Sequence, residues 1–513
     1  MKLKQSLVAC ALAFGASPLL SNAAALTSPY QTPDLEIYLS GASAPDTYLA
    51  TVLTSLFDAG FYTFKDDGGA RPATTTGAAY NAYYGHINDT DATIPASLRG
   101  KNVRLIKRSA GGSVWGVNPV AREQAIKTLY ISNAVHPTLS TAACEQVGST
   151  TTYTCSVIGD DANSAATGNM VPDFGVSDVA PNMFKSPLNV EYGKEELTVA
   201  ETSALTVKAL NALLMGLPVT NSVPTSHFSK ANFGAMLSGN ITSWSTLGIA
   251  VPTKNSVSRD NVIVCRRHPG SGTQASYNWY FNNFPCTTAS KAGSGETTPA
   301  VLSGSEPTGG SGTSGDPYTL DPSLFNALEH STSGDVRKCL YKAQNGGTHT
   351  FQAENGDYYS INFGSAANAG GYGAIGTLSV DSHGKETSGT EGGWTFRNLD
   401  GAGNLDAGAI TLQTFTGTGI PPTQANLLSG KYDFAVELTM QYKTSRIGTT
   451  GEKFDFIDTI VKRGGAAARQ TNATAAVYPN ATPTVNASGE LTSSNIARGT
   501  RSGNMCKPWA LQY

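Results

Sequence analysis

The chain has 513 residues, more than one compact core normally uses, so two or three domains are expected. Hydrophobic residues make up 40%, enough for real cores, while only 14% are charged and 55 are glycine, a balance expected of a secreted, loop-rich protein. A formal net charge of −3 argues against nucleic acid or an anionic membrane surface as partner, so any anion site must be a local feature.

Residues 1–25 read as a signal peptide: Lys2 and Lys4, an apolar stretch from Leu7 to Leu20, then small residues at Ser21, Ala23 and Ala25. Leu7-Val8-Ala9-Cys10 resembles a lipoprotein box, but almost no apolar segment precedes it, so Cys10 is read as part of the removed stretch. No later run approaches the roughly 18 apolar residues that a membrane span needs. The mature chain is therefore expected to be periplasmic or extracellular.

LEIYLSG (35–41) alternates like a strand and runs into SAPDTYLATVLTSLF (43–57). Ser43 suits an N-cap, Pro45 a first turn, and Asp46 the helix dipole; Leu49, Val52, Leu53 and Leu56 then share one face. NVRLIKRSAGGSVWGVNPVAREQAIKTLYI (102–131) repeats the sequence of strand, turn and helix. Residues 132–170 interrupt the pattern and hold Cys144 and Cys155. VPDFGVSDVAP (171–181) gives a third strand-to-turn corner, and VIVCRRHPGSGTQASYNWYFNNF (262–284) a fourth. Residues 287–317 are low-complexity and predict a surface loop, and the tail 464–504 is rich in Ala, Thr, Asn and Ser. Strands alternating with helices indicate an α/β architecture with largely parallel sheets.

Six cysteines follow the leader, an even number that favours disulfides in an exported chain. Sequence proximity suggests Cys144–Cys155 and Cys265–Cys286, leaving Cys339 and Cys506 for a long-range bridge, with the other pairings open.

The four corners are Gly41-Ala42-Ser43-Ala44-Pro45, Arg108-Ser109-Ala110-Gly111-Gly112, Asp173-Phe174-Gly175-Val176-Ser177-Asp178, and Arg267-His268-Pro269-Gly270-Ser271-Gly272-Thr273. In open α/β sheets, ligands sit beyond the carboxyl ends of strands, where first-turn N–H groups lack intrahelical partners. Taken singly, each corner is better explained as an ordinary helix cap.

Together they resemble the periplasmic phosphate-binding proteins that feed ABC transporters. FGVSDVAP, IVCRRHPGSGTQ, FGAMLSGNITSWSTLG (233–248) and GAIG (373–376) look like signatures of that family; GASAP matches its first corner and RSAGG its second. KYDFAVELTMQYK (431–443) and EKFDFIDTIVKRGGA (452–466) resemble the strand and helix that close its fold. The resemblance spans most of residues 35–466, apart from the two insertions. It implies a type II periplasmic binding protein, with two α/β lobes, a hinge and an anion in the interlobe cleft. The first lobe would take residues 26–213 and 431–513 with the tail, the second 214–430.

Carried over by motif position, the resemblance makes Ser43, Ala44, Ser109, Asp178, Arg267, Ser271, Gly272 and Thr273 the phosphate ligands. The chemistry is coherent, since hydroxyls and N–H groups give directional donors without adding charge, and Arg267 adds a charge-assisted contact. Asp178 would repel any anion that has no proton to donate, which hydrogen phosphate has and sulfate lacks. Two departures stand out. Pro269 occupies a position where the family usually has an acid that orients the arginine, and Arg108 replaces a usual glycine.

Implied partners are inorganic phosphate and an ABC-transporter permease, with a monomeric chain, no catalysis and no cofactor or metal. The alternatives are a secreted phosphatase on the same scaffold, or a surface scaffold binding another oxyanion or none. No P-loop lysine, GxSxG or HExxH occurs, and the seven histidines are scattered without ligand spacing. Residues 400–411 faintly resemble a calcium loop but have Thr411 at the twelfth position, so a turn is expected. Asp381-Ser382-His383 are adjacent and cannot face one another as a nucleophile cluster; Trp244, Tyr277, Trp279 and Phe281 are expected to pack.

Overall fold

The computed structural model describes residues 26–511 apart from positions 59, 69–76, 78, 254–257, 287–306, 365–369, 401–417, 478–498, 502–503 and 508–509. The leader, most of the 287–317 segment and the 401–411 turn lie outside the described residues. Among those described, no helix is long and apolar enough to cross a membrane.

Two mixed sheets organise an α/β fold. In the larger, the strands Leu35–Gly41, Asn102–Arg108 and Phe174–Ser177 run parallel at the centre. Antiparallel strands flank them: Leu205–Leu214 and Ala435–Lys443 on one side, Tyr80–His86 and Tyr62–Asp66 on the other. In the six-stranded sheet, Ile263–Arg267 lies parallel between Asn326–His330 and Ala374–Gly376. Parallel pairing joins the strands that carry the corners and recurs in three short outer pairs, so the sheets are mixed where the sequence pattern predicts largely parallel ones.

The chain crosses between sheets twice, side by side. Met215 and Gly216 link the 205–214 strand to Leu217–Thr220, and the return enters at Phe434. Met215 N donates to Phe434 O at 3.0 Å, and Tyr432 Oη donates to Met215 O at 2.7 Å. Phe434 packs edge-on to Tyr277 with ring centroids 4.9 Å apart, and Phe281 joins them. Trp244, Tyr277, Trp279 and Phe281 therefore pack, as their apolar surroundings in the sequence predict.

Residues 144–146 and 152–155 extend the edge of the larger sheet and are stapled by Cys144–Cys155. The other two bonds differ from those that sequence proximity suggests, being Cys265–Cys339 and Cys286–Cys506. Adjacent strand residues point to opposite faces. Val264 faces the core that includes Ala275 and Tyr277 of the helix Gly272–Asn282; Cys265 faces the core built by Val336, Cys339 and Leu340 of the helix Ser333–Asn345. The helix next in sequence covers the wrong face for Cys265.

Candidate functional site

The register of the larger sheet pairs Ser40 with Arg108 and with Gly175, so three strands end together. Their carboxyl ends bring residues 42–45, 109–113 and 178 to one place. In the second sheet Arg267 pairs with His330, so the 331–333 turn arrives beside the fourth corner. The two halves meet closed: Val114 N donates to Gly270 O at 2.9 Å, Gly111 N to Ser331 Oγ at 3.2 Å, and Ser379 Oγ to Ala44 O at 3.3 Å.

Arg267 is buried at the centre, 1% exposed. Its Nη1 donates to Ser43 Oγ and Ser333 Oγ, both at 3.2 Å, its Nε to His330 O at 3.2 Å, and its Nη2 to Ser331 O. These acceptors orient the fork, so the role that an acid at position 269 would serve falls to two main-chain carbonyls. Burial pulls the guanidinium down to about 10, opposed by attraction to Asp178, and it stays charged at neutral pH.

Ser43 does not cap the helix that comes after it. That helix runs Asp46–Thr54, and Pro45 is its N-cap with no side-chain bond. The Ser43 hydroxyl accepts from Arg267 instead, a contact that only the facing lobe could supply. Ser271 does cap its helix, accepting from Gln274 N at 3.3 Å. The N–H groups of Gly272 and Thr273 are first-turn donors with no intrahelical acceptor.

Asp178 is 1% exposed. Its Oδ2 accepts from Thr273 Oγ1 at 2.8 Å, while Oδ1 is buried without a partner. Burial pushes this carboxyl up to about 6, with the Thr273 bond and Arg267 opposing the rise. The main-chain N–H of Asp178 donates to Ser113 Oγ at 3.2 Å.

Ser109 is placed near the others but already committed. Its hydroxyl accepts from Lys107 Nζ at 2.5 Å and donates to Asp46 Oδ1 at 3.1 Å. Lys107 Nζ also holds Asp46 at 2.6 Å and Ala42 O at 2.9 Å, so this group braces the first corner. Arg108 lines a cavity on the seam between the lobes and bonds to none of these groups. It makes a bidentate pair with Asp161 at 2.6 and 3.0 Å and lies 3.9 Å over Trp115, tying the 132–170 excursion to the second corner.

Sequence reasoning missed Ser113 and Ser333. Ser113 stands one residue beyond the RSAGG motif, and Ser333 opens a helix directly after the strand Asn326–His330. That Ser331-Thr332-Ser333-Gly334 turn is a fifth corner with the same hydroxyl-rich signature as the other four.

Where the corners meet, five hydroxyls accept a protein hydrogen bond and keep their own proton unassigned: Ser43, Ser113, Ser271, Ser331 and Ser333. The glycines let these groups close up. A Cβ at Gly272 would lie 2.2 Å from Ser113 Oγ and 2.9 Å from Asp178 Cβ; one at Gly112 would lie 3.1 Å from Arg267 Nη2. The arrangement can offer several neutral donors and a cation to a small anion, with an unpaired acceptor at Asp178. Cavities of about 500 and 630 Å³ lie beside it along the seam between the lobes, and neither is lined by Ser43, Asp178 or Thr273.

No known family profile matches the sequence, and no curated protein matches it. Some solved structures are similar to it along most of the chain. A Clostridium perfringens protein described as a phosphate ABC transporter substrate-binding protein, with bound phosphate, is 10% identical at a TM-score of 0.38, covering 85% of this chain and 95% of that one. An ABC-type phosphate transport receptor from Vibrio cholerae is 10% identical at 0.34, covering 83% and 93%. A phosphate-binding protein from Stenotrophomonas maltophilia is 14% identical at 0.30, covering 84% and 89%. At these identities and TM-scores the likeness carries no argument about role or ligand.

Proposed function

We propose that the chain is an exported, non-catalytic receptor that closes two lobes around hydrogen phosphate. The observation that supports this reading most is Asp178 Oδ1, a buried acceptor without a partner beside a set of donors. An unsatisfied buried oxygen costs on the order of 1–3 kcal/mol, which a ligand proton would recover. The anion that suits the site therefore carries at least one proton, and hydrogen phosphate does at neutral pH. Arg267 contributes the cation, with Ser43, Ser113, Ser271 and Ser333 hydroxyls and the Gly272 and Thr273 N–H groups as neutral donors. Ala44 and Ser109 shape the first two corners.

Closure joins ligand contacts to a hinge motion at the paired crossings, and the closed face would be read by a membrane permease. That last step rests on the resemblance of the corner motifs. Calorimetry with phosphate and with sulfate tests the binding reading. Phosphate is expected to bind and sulfate to bind far more weakly; no phosphate binding, or equal affinities, rejects it.

A further inference from the structure

The seven histidines have no ligand spacing in sequence, yet the fold brings two of them together. His330 ends the strand Asn326–His330 and His349 lies in the strand Thr348–Gln352; their Nε2 atoms are 2.8 Å apart and both rings are buried. At that distance one proton is shared. His330 Nδ1 lies 3.0 Å from Arg266 O, and a carbonyl only accepts, so Nδ1 carries its hydrogen and His330 Nε2 presents a lone pair. The shared proton therefore belongs to His349 Nε2.

We infer that His330 and His349 form a binding site for a divalent transition-metal ion on the wall of the 630 Å³ seam cavity. The metal takes the place of the shared proton, which moves to His349 Nδ1 and leaves that ring neutral. Two metal–nitrogen bonds of about 2.0–2.1 Å span about 3 Å between nitrogens, so the rings need part only slightly. The Nδ1 bond from His330 to a carbonyl is the outer contact that fixes a ligand's tautomer and direction. Both histidines line the cavity, which supplies an entry path and space for water at the open coordination positions. The Asp335 carboxylate lines the same cavity and partly offsets the charge of Lys338.

Cys339 offers a third donor atom, with the three ligand atoms within 4.8 Å of one another. It is bonded to Cys265, so it supplies no thiolate and the set in the oxidised protein is two imidazoles plus solvent. Imidazole donors without a thiolate suit the late first-row ions, with Cu2+ at the top of the affinity order. His330 also holds Arg267 through its main-chain oxygen, so this site and the anion site share one residue. Metal binding here does not depend on which anion the neighbouring site takes.

The test is titration of chelator-treated, disulfide-intact protein with Cu2+, read by electron paramagnetic resonance. One equivalent is expected to show superhyperfine coupling to two imidazole nitrogens. His349→Gln keeps an amide N–H to donate to His330 while removing a ligand; it should abolish the two-nitrogen signal and weaken binding at least tenfold, and His330→Gln should do the same. A wild-type spectrum without two coupled nitrogens, or an unchanged spectrum in either folded variant, overturns the inference.

Discussion

Thr273 Oγ1 donates to Asp178 Oδ2 at 2.8 Å, joining the helix start of one lobe to the third corner of the other, and it leaves Asp178 Oδ1 unpaired. The threonine thus orients the carboxylate while using only one of its oxygens. On the proposed reading, the remaining oxygen accepts the proton that the bound anion carries. Replacing Asp178 with Asn supplies an N–H or an acceptor at that point and removes the charge. Discrimination between phosphate and sulfate should then fall sharply by calorimetry; unchanged discrimination removes Asp178 from the site.

The same carboxyl predicts a pH-dependent stability. Its folded value of about 6 lies above the ordinary aspartate value of 3.8, so between the two the folded chain keeps a proton that the unfolded chain has lost. Stability therefore falls as pH rises through that window, by about 3 kcal/mol at full ionisation. Ligand-free Asp178→Asn should melt a few degrees above wild type at pH 7.5, with the gap closing near pH 4. Calorimetric scans that show no such convergence contradict the assignment.

Arg267 donates to four acceptors with a fixed planar fork, which a lysine cannot reproduce. Arg267→Lys should keep the charge and still weaken phosphate binding by roughly 10–100-fold, the value of one or so charge-assisted bonds. Isothermal titration measures this directly, and an unchanged affinity would mean the guanidinium only ties the turn.

Gly272→Ala separates closure from folding. Its backbone is ordinary helix, where alanine is favoured by up to about 1 kcal/mol, so the lobe that carries it should be at least as stable. In the closed form the new Cβ meets Ser113 Oγ at 2.2 Å and Asp178 Cβ at 2.9 Å. Small-angle scattering should show that phosphate no longer compacts the variant. Compaction equal to wild type would show that the lobes close differently.

Arg108→Ala should leave phosphate affinity unchanged, because the guanidinium is spent on Asp161 and Trp115. It should instead expose the 132–170 excursion to protease, since a buried charge-assisted pair is lost at a cost of about 1.5–3 kcal/mol. Affinity loss without faster cleavage would return Arg108 to the cleft.

The strand-and-corner rhythm along the chain is enough to establish the α/β class and to single out the four turns, because side-chain periodicity and capping chemistry are local. Arg267, Asp178, Ser271, Gly272 and Thr273 stand out by their motifs, and all five lie together in the closed cleft. The roles of hydroxyls are less legible. In sequence Ser43 looks like both a cap and a ligand donor, Ser109 like a ligand donor, and Ser113 and Ser333 like nothing in particular. A hydroxyl's duty depends on its partner across space: Arg267 claims Ser43, Lys107 and Asp46 claim Ser109, and Asp178 N claims Ser113. The cysteines show the same limit, since Cys265 and Cys339 are 74 residues apart and meet because strand alternation turns Cys265 toward the far helix. Local pattern thus points to the corners and the strands that present them. Which of their polar atoms remain free depends on the folded chain, because in a buried site each donor and acceptor is settled by long-range neighbours.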